Sequence, residues 1–328
     1  MLGSRKAGTI TRAVGIAIAS TALLIQPASA QEWPTRPIRI LVGFGPGGGT
    51  DIVTRIVAQP LSELLGQPIV VDNKPGAGGT IASDLAAKAS PDGYTASMLS
   101  SGHTVSAAMY KSLPYESVKD FAPVALVANA AYVVVANKDF AANDINALVA
   151  AAKAKPGQLK FATVGLGSTQ HFTAELLAQR TGISVKHVPY KRTPDVIAAL
   201  RSNEVDYAVE LVHATVGQVR AGDLKYLGVS TGARWPQIPD VPTIGETVPG
   251  FEVVGWYGLV FPAGTPQAIV EKTNKALREV LAREEIGKQM ANAGALANLS
   301  SSQEFGKHLA SEVDRWRDVA KKSGIEPQ

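Results

Sequence analysis

Short apolar, β-branched runs alternate with stretches of helical periodicity along almost all of residues 33–328. This alternation constrains the fold most. Strands laid down between helices assemble as a sheet covered by helices, an α/β layering. The spacing predicts strands at 38–42, 69–71 and 94–99, and helices at 50–65 and 79–89. Pro60 lies inside the first helix. It removes a backbone donor and clashes with the preceding turn, so a kink or break is expected near Gln59. Residues 124–136 form an extended stretch longer than an ordinary strand. A second cycle follows, with helices at 143–154, 169–180, 194–201 and 214–221 and strands at 159–164, 184–189, 205–211 and 224–230. A proline-rich loop at 235–249 leads to another long extended stretch, 251–260, and residues 266–322 read as helical.

The two long extended stretches divide the chain. If both connect the same two bodies, one lobe is 33–135 plus 255–328 and the other is 136–254. A length near 300 residues suits two cores better than one. Two crossover strands would then act as a hinge beside a cleft, and closure about such a hinge traps ligands. One large sheet is the alternative.

The first thirty residues read as a secretory leader. Arg5, Lys6 and Arg12 form a positive start, 13–25 is apolar, and Ala28-Ser29-Ala30 is an A-x-A cleavage site. The apolar run is shorter than the roughly 20 residues a membrane helix needs. The expectation is therefore export to the periplasm, cleavage after Ala30 and no stable membrane insertion. The leader holds three of the 32 basic residues and no acid, which leaves 29 bases against 28 acids in the remainder. That near-neutral balance, without a basic cluster interleaved with aromatics, gives no nucleic-acid footprint. The absence of cysteine excludes disulfides, thiolate zinc sites and a cysteine nucleophile.

Two glycine-rich loops each follow a strand and open a helix. The first, 43–51, contains Phe44, Gly47, Gly48, Thr50 and Asp51. It matches the dinucleotide pattern G-x-G-x-x-G at Gly43, Gly45 and Gly48, with Asp72 placed 24 residues after Gly48. Export away from the nicotinamide pool and the Pro46 turn argue against that use. The same loop serves more simply as an anion site, because exposed backbone N–H groups and a helix N-terminus attract negative charge. Asp51 reads as a helix cap. The second loop, 165–171, contains Gly167, Ser168, Thr169 and His171. Facing loops of this kind can clamp one carboxylate at the strand ends, where open α/β sheets bind ligands.

Ser168 with His171 is also the one Ser–His pair that suggests a hydrolase. No G-x-S-x-G elbow is present, and Ser168 reads better as an N-cap. The five histidines lack metal-binding spacing, so neither metal nor cofactor is expected. Further cleft candidates end strands: Ser100, Gly102 and His103, then Tyr190 and Arg192, then Glu210 and His213. Arg192 can hold a carboxylate bidentately or lie solvated at the surface. Glu210 stands in an apolar run and needs a partner, which Arg192, His213 or a ligand amine can supply. Trp256 and Tyr257 lie on the second crossing, either lining the cleft or, for Tyr257, packing in the core.

A series of segments resembles the Bug/TctC family of periplasmic solute receptors. It runs from Trp33-Pro34 and Pro37-Ile38 through Pro46-Gly47-Gly48-Gly49-Thr50-Asp51, Asn73-Lys74-Pro75-Gly76-Ala77-Gly78-Gly79 and Ser90-Pro91-Asp92-Gly93-Tyr94. It continues with His187-Val188-Pro189-Tyr190-Lys191, Pro239-Asp240-Val241-Pro242-Thr243, Trp256-Tyr257-Gly258 and Pro262-Ala263-Gly264-Thr265-Pro266. The resemblance implies a two-lobed Venus-flytrap fold and a monomeric, non-enzymatic receptor. It also implies delivery of small organic carboxylates to the membrane components of a tripartite tricarboxylate transporter, or to a signalling partner. It places the carboxylate between the loops at 47–51 and 167–171. Family members usually have glycine where this chain has Arg192, and many have aspartate where it has Glu210, followed here by His213. An added cation, Arg192 or His213, points to an aliphatic or aromatic dicarboxylate.

Overall fold

The computed structural model describes residues 33–327 together with Gly3; the rest of the expected leader lies outside the described residues. The chain opens with β1 (Ile38–Val42), α1 (Gly49–Leu65), β2 (Ile69–Asn73), α2 (Thr80–Ala87), β3 (Thr95–Ser100) and α3 (Gly102–Met109). The long β4 (Phe121–Asn137) leads into α4 (Ile145–Ala154), β5 (Lys160–Val164), α5 (Thr169–Thr181) and β6 (Lys186–Tyr190). Then come α6 (Thr193–Arg201), β7 (Tyr207–Leu211), α7 (Val212–Arg220), β8 (Leu224–Val229) and the short α8 (Ile244–Thr247). The chain finishes with β9 (Val254–Pro262), α9 (Gln267–Leu281), α10 (Glu284–Asn292), β10 (Ala295–Ala297) and α11 (Ser302–Lys322).

The strands form one continuous path, β2-β1-β3-β9-β4-β7-β5-β6, with β8 and β10 also pairing β4. Parallel pairing joins β1 to β2 and β3, and β5 to β6 and β7. That is the arrangement expected where helices connect successive strands. The 17-residue β4 changes company part-way. Residues 121–131 pair with β9, whereas 132–136 pair with β7. The second extended stretch changes at the same level. Val254 pairs with Ala131, while the N–H of Val253 donates to Ser230 just past β8.

Packing follows this division. Ile40, Val57, Leu61, Val127 and Leu277 share a core on one side of the junction. Phe161, Phe172, Tyr207, Phe251 and Trp316 share another on the far side. The helix α11 packs on both: Phe305 and Leu309 join residues of β3 and β9, whereas Trp316 and Val319 join α5.

The expected break at Gln59 does not occur. Helix α1 runs through Pro60 to Leu65 and ends where Gly66, at φ +72°, donates to Ser62. Val53, Val57, Leu61 and Leu65 are buried along one face. Continuous apolar burial on both sides of Pro60 outweighs its local cost. The expected helical stretch at 266–322 is three helices, with the three-residue β10 inserted against β4.

Candidate functional site

Close backbone approach explains the first glycine-rich loop. A Cβ on Gly43 would stand 2.6 Å from the Cα of Gly79. The loop after β1 and the turn at 76–79 therefore pack backbone against backbone. Asp51 fixes the loop from inside the helix: it is buried, accepts from the N–H of Gly47 at 2.9 Å, and pairs with Arg55 and Asn73. Burial opposes its charge, but Arg55, the Gly47 N–H and Asn73 outweigh that cost and hold its pKa below the ordinary value. Asp51 thus pins the turn rather than capping α1, whose N-terminus has no side-chain cap. Gly49 is packed so closely against the Tyr257 hydroxyl that a side chain there would displace it.

The second loop is held by its own side chains. Ser168 caps α5, accepting from the N–H of His171 at 3.1 Å and donating to the carbonyl of Gly165 at 3.0 Å. The N–H of Gly167 donates to Nδ1 of His171 at 3.2 Å. His171 stacks on His187, with ring centroids 4.2 Å apart. Burial lowers the pKa of His187 to about 4, with a smaller contribution from His171.

Both loops border one cavity of about 500 Å³. Three helices begin on its wall: α1 at Gly49 and Thr50, α3 at Gly102, and α5 at Thr169 and Gln170. Two of the three, α1 and α3, have no side-chain cap. Their first-turn N–H groups remain available, and each helix N-terminus carries a partial positive charge. A chain of buried hydroxyls ties the walls together. Thr169 donates to Ser101 at 3.2 Å, and Ser101 bonds the Tyr132 hydroxyl at 3.0 Å. Burial raises the pKa of Tyr132, so it keeps its proton. The wall carries no Asp, Glu or Arg, and Lys191 is its one charged residue.

Comparison with known proteins gives this arrangement a context. Residues 53–325 match the model of the tripartite tricarboxylate transporter family receptor. The chain belongs to that family. It is 35% identical over 314 residues to BugT of Bordetella pertussis, covering 95% of this chain and 96% of BugT. It is 37% identical over 307 residues to the protein of the tcbD-tcbE intergenic region of Pseudomonas sp. strain P51, covering 93% and 91% of the two chains. Among solved structures, an R. palustris protein with adipate superimposes with a TM-score of 0.81 at 33% identity, covering 90% of this chain and 100% of that one. MatC from Rhodopseudomonas palustris, with bound malate, gives 0.76 at 33% identity and covers 88% and 99%. The periplasmic binding protein BugD gives 0.78 at 32% identity and covers 90% and 100%. The receptor fold is therefore of the periplasmic binding protein type, and the family consists of binding proteins rather than enzymes. Among the described residues, no helix is long and apolar enough to cross a membrane.

In this receptor the cavity gathers many of the residues singled out from the sequence. Phe44, Gly48 and Thr50 of the first loop, Ser100, Gly102 and Trp256, and Gly167, Ser168 and Thr169 of the second loop all line it. Six others stand elsewhere. The N–H of Gly47 is taken by Asp51. His103 is buried between Ser83 and the carbonyl of Ser117, and burial lowers its pKa to about 4. The Tyr190 hydroxyl donates to Glu204 at 2.9 Å. Arg192 turns outward, its side chain 72% exposed and bound to Asp195 at 2.7 Å. His213 lies behind Gly49, against Gly294. Glu210 is buried next to Leu211, which lines the cavity, and is not itself part of the lining.

Ser168 is the N-cap expected of it, and two of the alternatives weighed from the sequence are not formed. Arg192 pairs with Asp195, three residues on in the same helical turn, rather than with Glu210, and does not line the cavity. The Ser168 hydroxyl donates to Gly165 rather than to His171, whose Nδ1 is occupied, so the pair does not form a nucleophile and base. Asp72 is likewise engaged, with Lys74 at 3.2 Å and Arg39 at 3.6 Å, far from a ribose-binding role. Tyr132, Gln170, Met109, Tyr110 and Leu166 line the cavity without having been singled out. Only Gln170 and Leu166 carried a sequence signal, as members of the second loop. Among the described residues no cluster of metal-ligating side chains occurs.

Proposed function

We propose that this chain is exported, with its leader cleaved after Ala30, and captures a small organic carboxylate for the membrane components of a tripartite tricarboxylate transporter. The two core groups are its lobes, expected from the sequence at 33–135 plus 255–328 and 136–254 and here changing over up to a few residues earlier on each strand, with α11 clasping both. The strands β4 and β9 join the lobes at the level of Ala131 and Val254 and serve as the hinge. The single observation that carries the reading is the convergence of three helix N-termini on one cavity whose wall has no acidic side chain. Such a wall offers backbone donors and partial positive charge to a carboxylate without committing a charged side chain to it. The group bound is held by the first-turn N–H groups of α1, α3 and α5 and by the hydroxyls of Thr50 and Ser101, the latter set in place by Thr169. Adipate and malate in the related structures are consistent with such a group.

A thermal-shift screen of mono-, di- and tricarboxylates tests the reading. Ligand at 100 times its Kd stabilises by about 2.7 kcal/mol, and a domain of this size class gains roughly 2–4 °C per kcal/mol. A true ligand should therefore raise the melting midpoint by several degrees. A flat response across all three classes would refute carboxylate capture.

A further inference from the structure

The cavity wall holds a hydroxyl that the fold leaves without a partner. Tyr257 stands on β9, opposite Ser100 of β3 and Ala128 of β4. It packs in the core with Ile40, Val53 and Leu259 and is only 6% exposed. Its hydroxyl end reaches the start of α1, where a side chain on Gly49 would strike it. Gly49 and Tyr257 both line the cavity. Among the described residues no group hydrogen-bonds this hydroxyl. The unpaired hydroxyl of Tyr207 is sealed from solvent, but that of Tyr257 is not. Neighbouring Tyr132 differs again, since its hydroxyl is already bonded to Ser101 at 3.0 Å. A polar group so deeply set and unpaired costs free energy until a ligand or water completes it.

The surroundings supply further donors. Helix α1 has no side-chain cap, so the N–H groups of Gly49 and Thr50 in its first turn are unspent. Thr50 is 4% exposed and lines the cavity; the helix uses its carbonyl, to which Thr54 donates, but not its hydroxyl. Asp51, the next residue, is turned to the Gly47 N–H, Arg55 and Asn73. His213 also approaches Gly49, through Cε1 rather than a ring nitrogen. Burial raises the pKa of Tyr257, with a smaller contribution from Tyr132, so the hydroxyl keeps its proton and can donate it. A hydroxyl beside two unspent N–H groups at a helix start suits an acceptor-only group, and an ionised carboxylate is one.

We infer that Tyr257 is a ligand-binding residue, its hydroxyl donating to the carboxylate seated at the start of α1 beside Thr50. This inference rests on the carboxylate reading above and names a further donor for the same site. The ring is fixed in the core, so the hydroxyl stands in place before the ligand arrives and little side-chain freedom is lost on binding. Gly49 follows from the same geometry, because only a residue without a Cβ lets the hydroxyl lie against the helix start. The role has a distinctive consequence. Removing the hydroxyl should weaken ligand binding without weakening the empty fold, because the fold makes no bond to it. A hydroxyl kept for structure, for instance by turning to a nitrogen of His213, would weaken the empty fold when removed.

Calorimetric titration of Tyr257→Phe with adipate, malate and benzoate, beside scanning calorimetry of the ligand-free protein, tests this. The acid that the unaltered protein binds best should lose about tenfold or more in affinity, as for one hydrogen bond to a charged group. The ligand-free melting midpoint should stay or rise. Unchanged affinity, or a loss accompanied by a lower ligand-free midpoint, overturns the inference and leaves carboxylate capture standing. Gly49→Ala gives an independent check, because its methyl group displaces the hydroxyl. It should lower affinity in the unaltered background and much less in Tyr257→Phe, where no hydroxyl is left to displace; equal losses in both overturn the inference. Should Tyr257→Phe fail to fold, Gly49→Ala decides alone, and unchanged affinity there is the refuting result. Should none of the three acids bind the unaltered protein, the inference falls together with the carboxylate reading.

Discussion

At the scale of single residues, Glu210 also leaves a mark on stability. Its pKa rises from an ordinary value near 4.5 to about 7 because burial penalises the carboxylate. The folded state therefore holds this proton more tightly than the unfolded chain. The resulting stabilisation is complete below pH 4.5 and is lost as pH rises through 7. The shift corresponds to about 3 kcal/mol. Glu210→Gln removes the titration, so its melting midpoint should lie above that of the unaltered protein at pH 8 and match it near pH 5. Equal midpoints at pH 8 in scanning calorimetry would show that the fold does not raise the pKa of Glu210. Residue-scale choices of this kind were only partly legible. The run Tyr190-Lys191-Arg192 announced a cation at a strand end. A one-residue difference in where β6 stops decides which of two neighbours faces inward. Asp195, three residues after Arg192, was the available clue, since such a spacing in a first helical turn pairs opposite charges.

At the scale of elements, the two glycine-rich loops were legible because their chemistry is local. A strand, a turn with positive φ and a helix start all announce themselves within ten residues. What stayed hidden was how each loop is held. The N–H groups of Gly47 and Gly167 are spent on Asp51 and His171, which lie one helical turn further on. The strand β10 was invisible for another reason: three residues are too few to show a period, and only β4 makes them a strand. The second loop offers a paired experiment. Gly165 (φ +79°) and Gly167 (φ +75°) both have left-handed backbone, which costs a side chain about 1–2 kcal/mol. A Cβ on Gly165 meets nothing within 4 Å, whereas one on Gly167 would stand 2.9 Å from Cγ of Met109. Gly165→Ala should lose only the backbone strain. Gly167→Ala should lose the same, displace Met109 from the cavity wall, and weaken ligand binding more. Urea midpoints and calorimetric affinities for the two variants separate these effects, and identical affinities would rule out Met109 as part of the wall.

At the scale of the whole molecule, the long stretches at 124–136 and 251–260 signalled where the chain passes between its two core groups. The sharing of α11 did not show, because an amphipathic period reports a buried face but not what covers it. A second whole-molecule property is the pH response, and here opposing groups compete. His103 is fully buried, with Nδ1 bonded to Ser83 at 3.0 Å and Nε2 donating to the carbonyl of Ser117 at 2.9 Å. Burial lowers its pKa from 6.5 to about 4, and that of His187 likewise to about 4. For these histidines the unfolded chain binds the proton first. Their contribution is whole above pH 6.5 and drains away as pH falls toward 4, by about 3 kcal/mol for the fully buried His103. Glu210 has the opposite slope, gaining stability as pH falls from 7 to 4.5. In the unaltered protein Glu210 offsets roughly half of the loss from the two histidines between pH 7 and 5. In Glu210→Gln the histidine term stands alone, so the urea midpoint should fall about twice as steeply on acidification from pH 7 to pH 5 as in the unaltered protein. Parallel curves for the two proteins would mean that the offset does not exist. A further substitution, His103→Gln, should flatten the variant's slope while lowering its stability at pH 7.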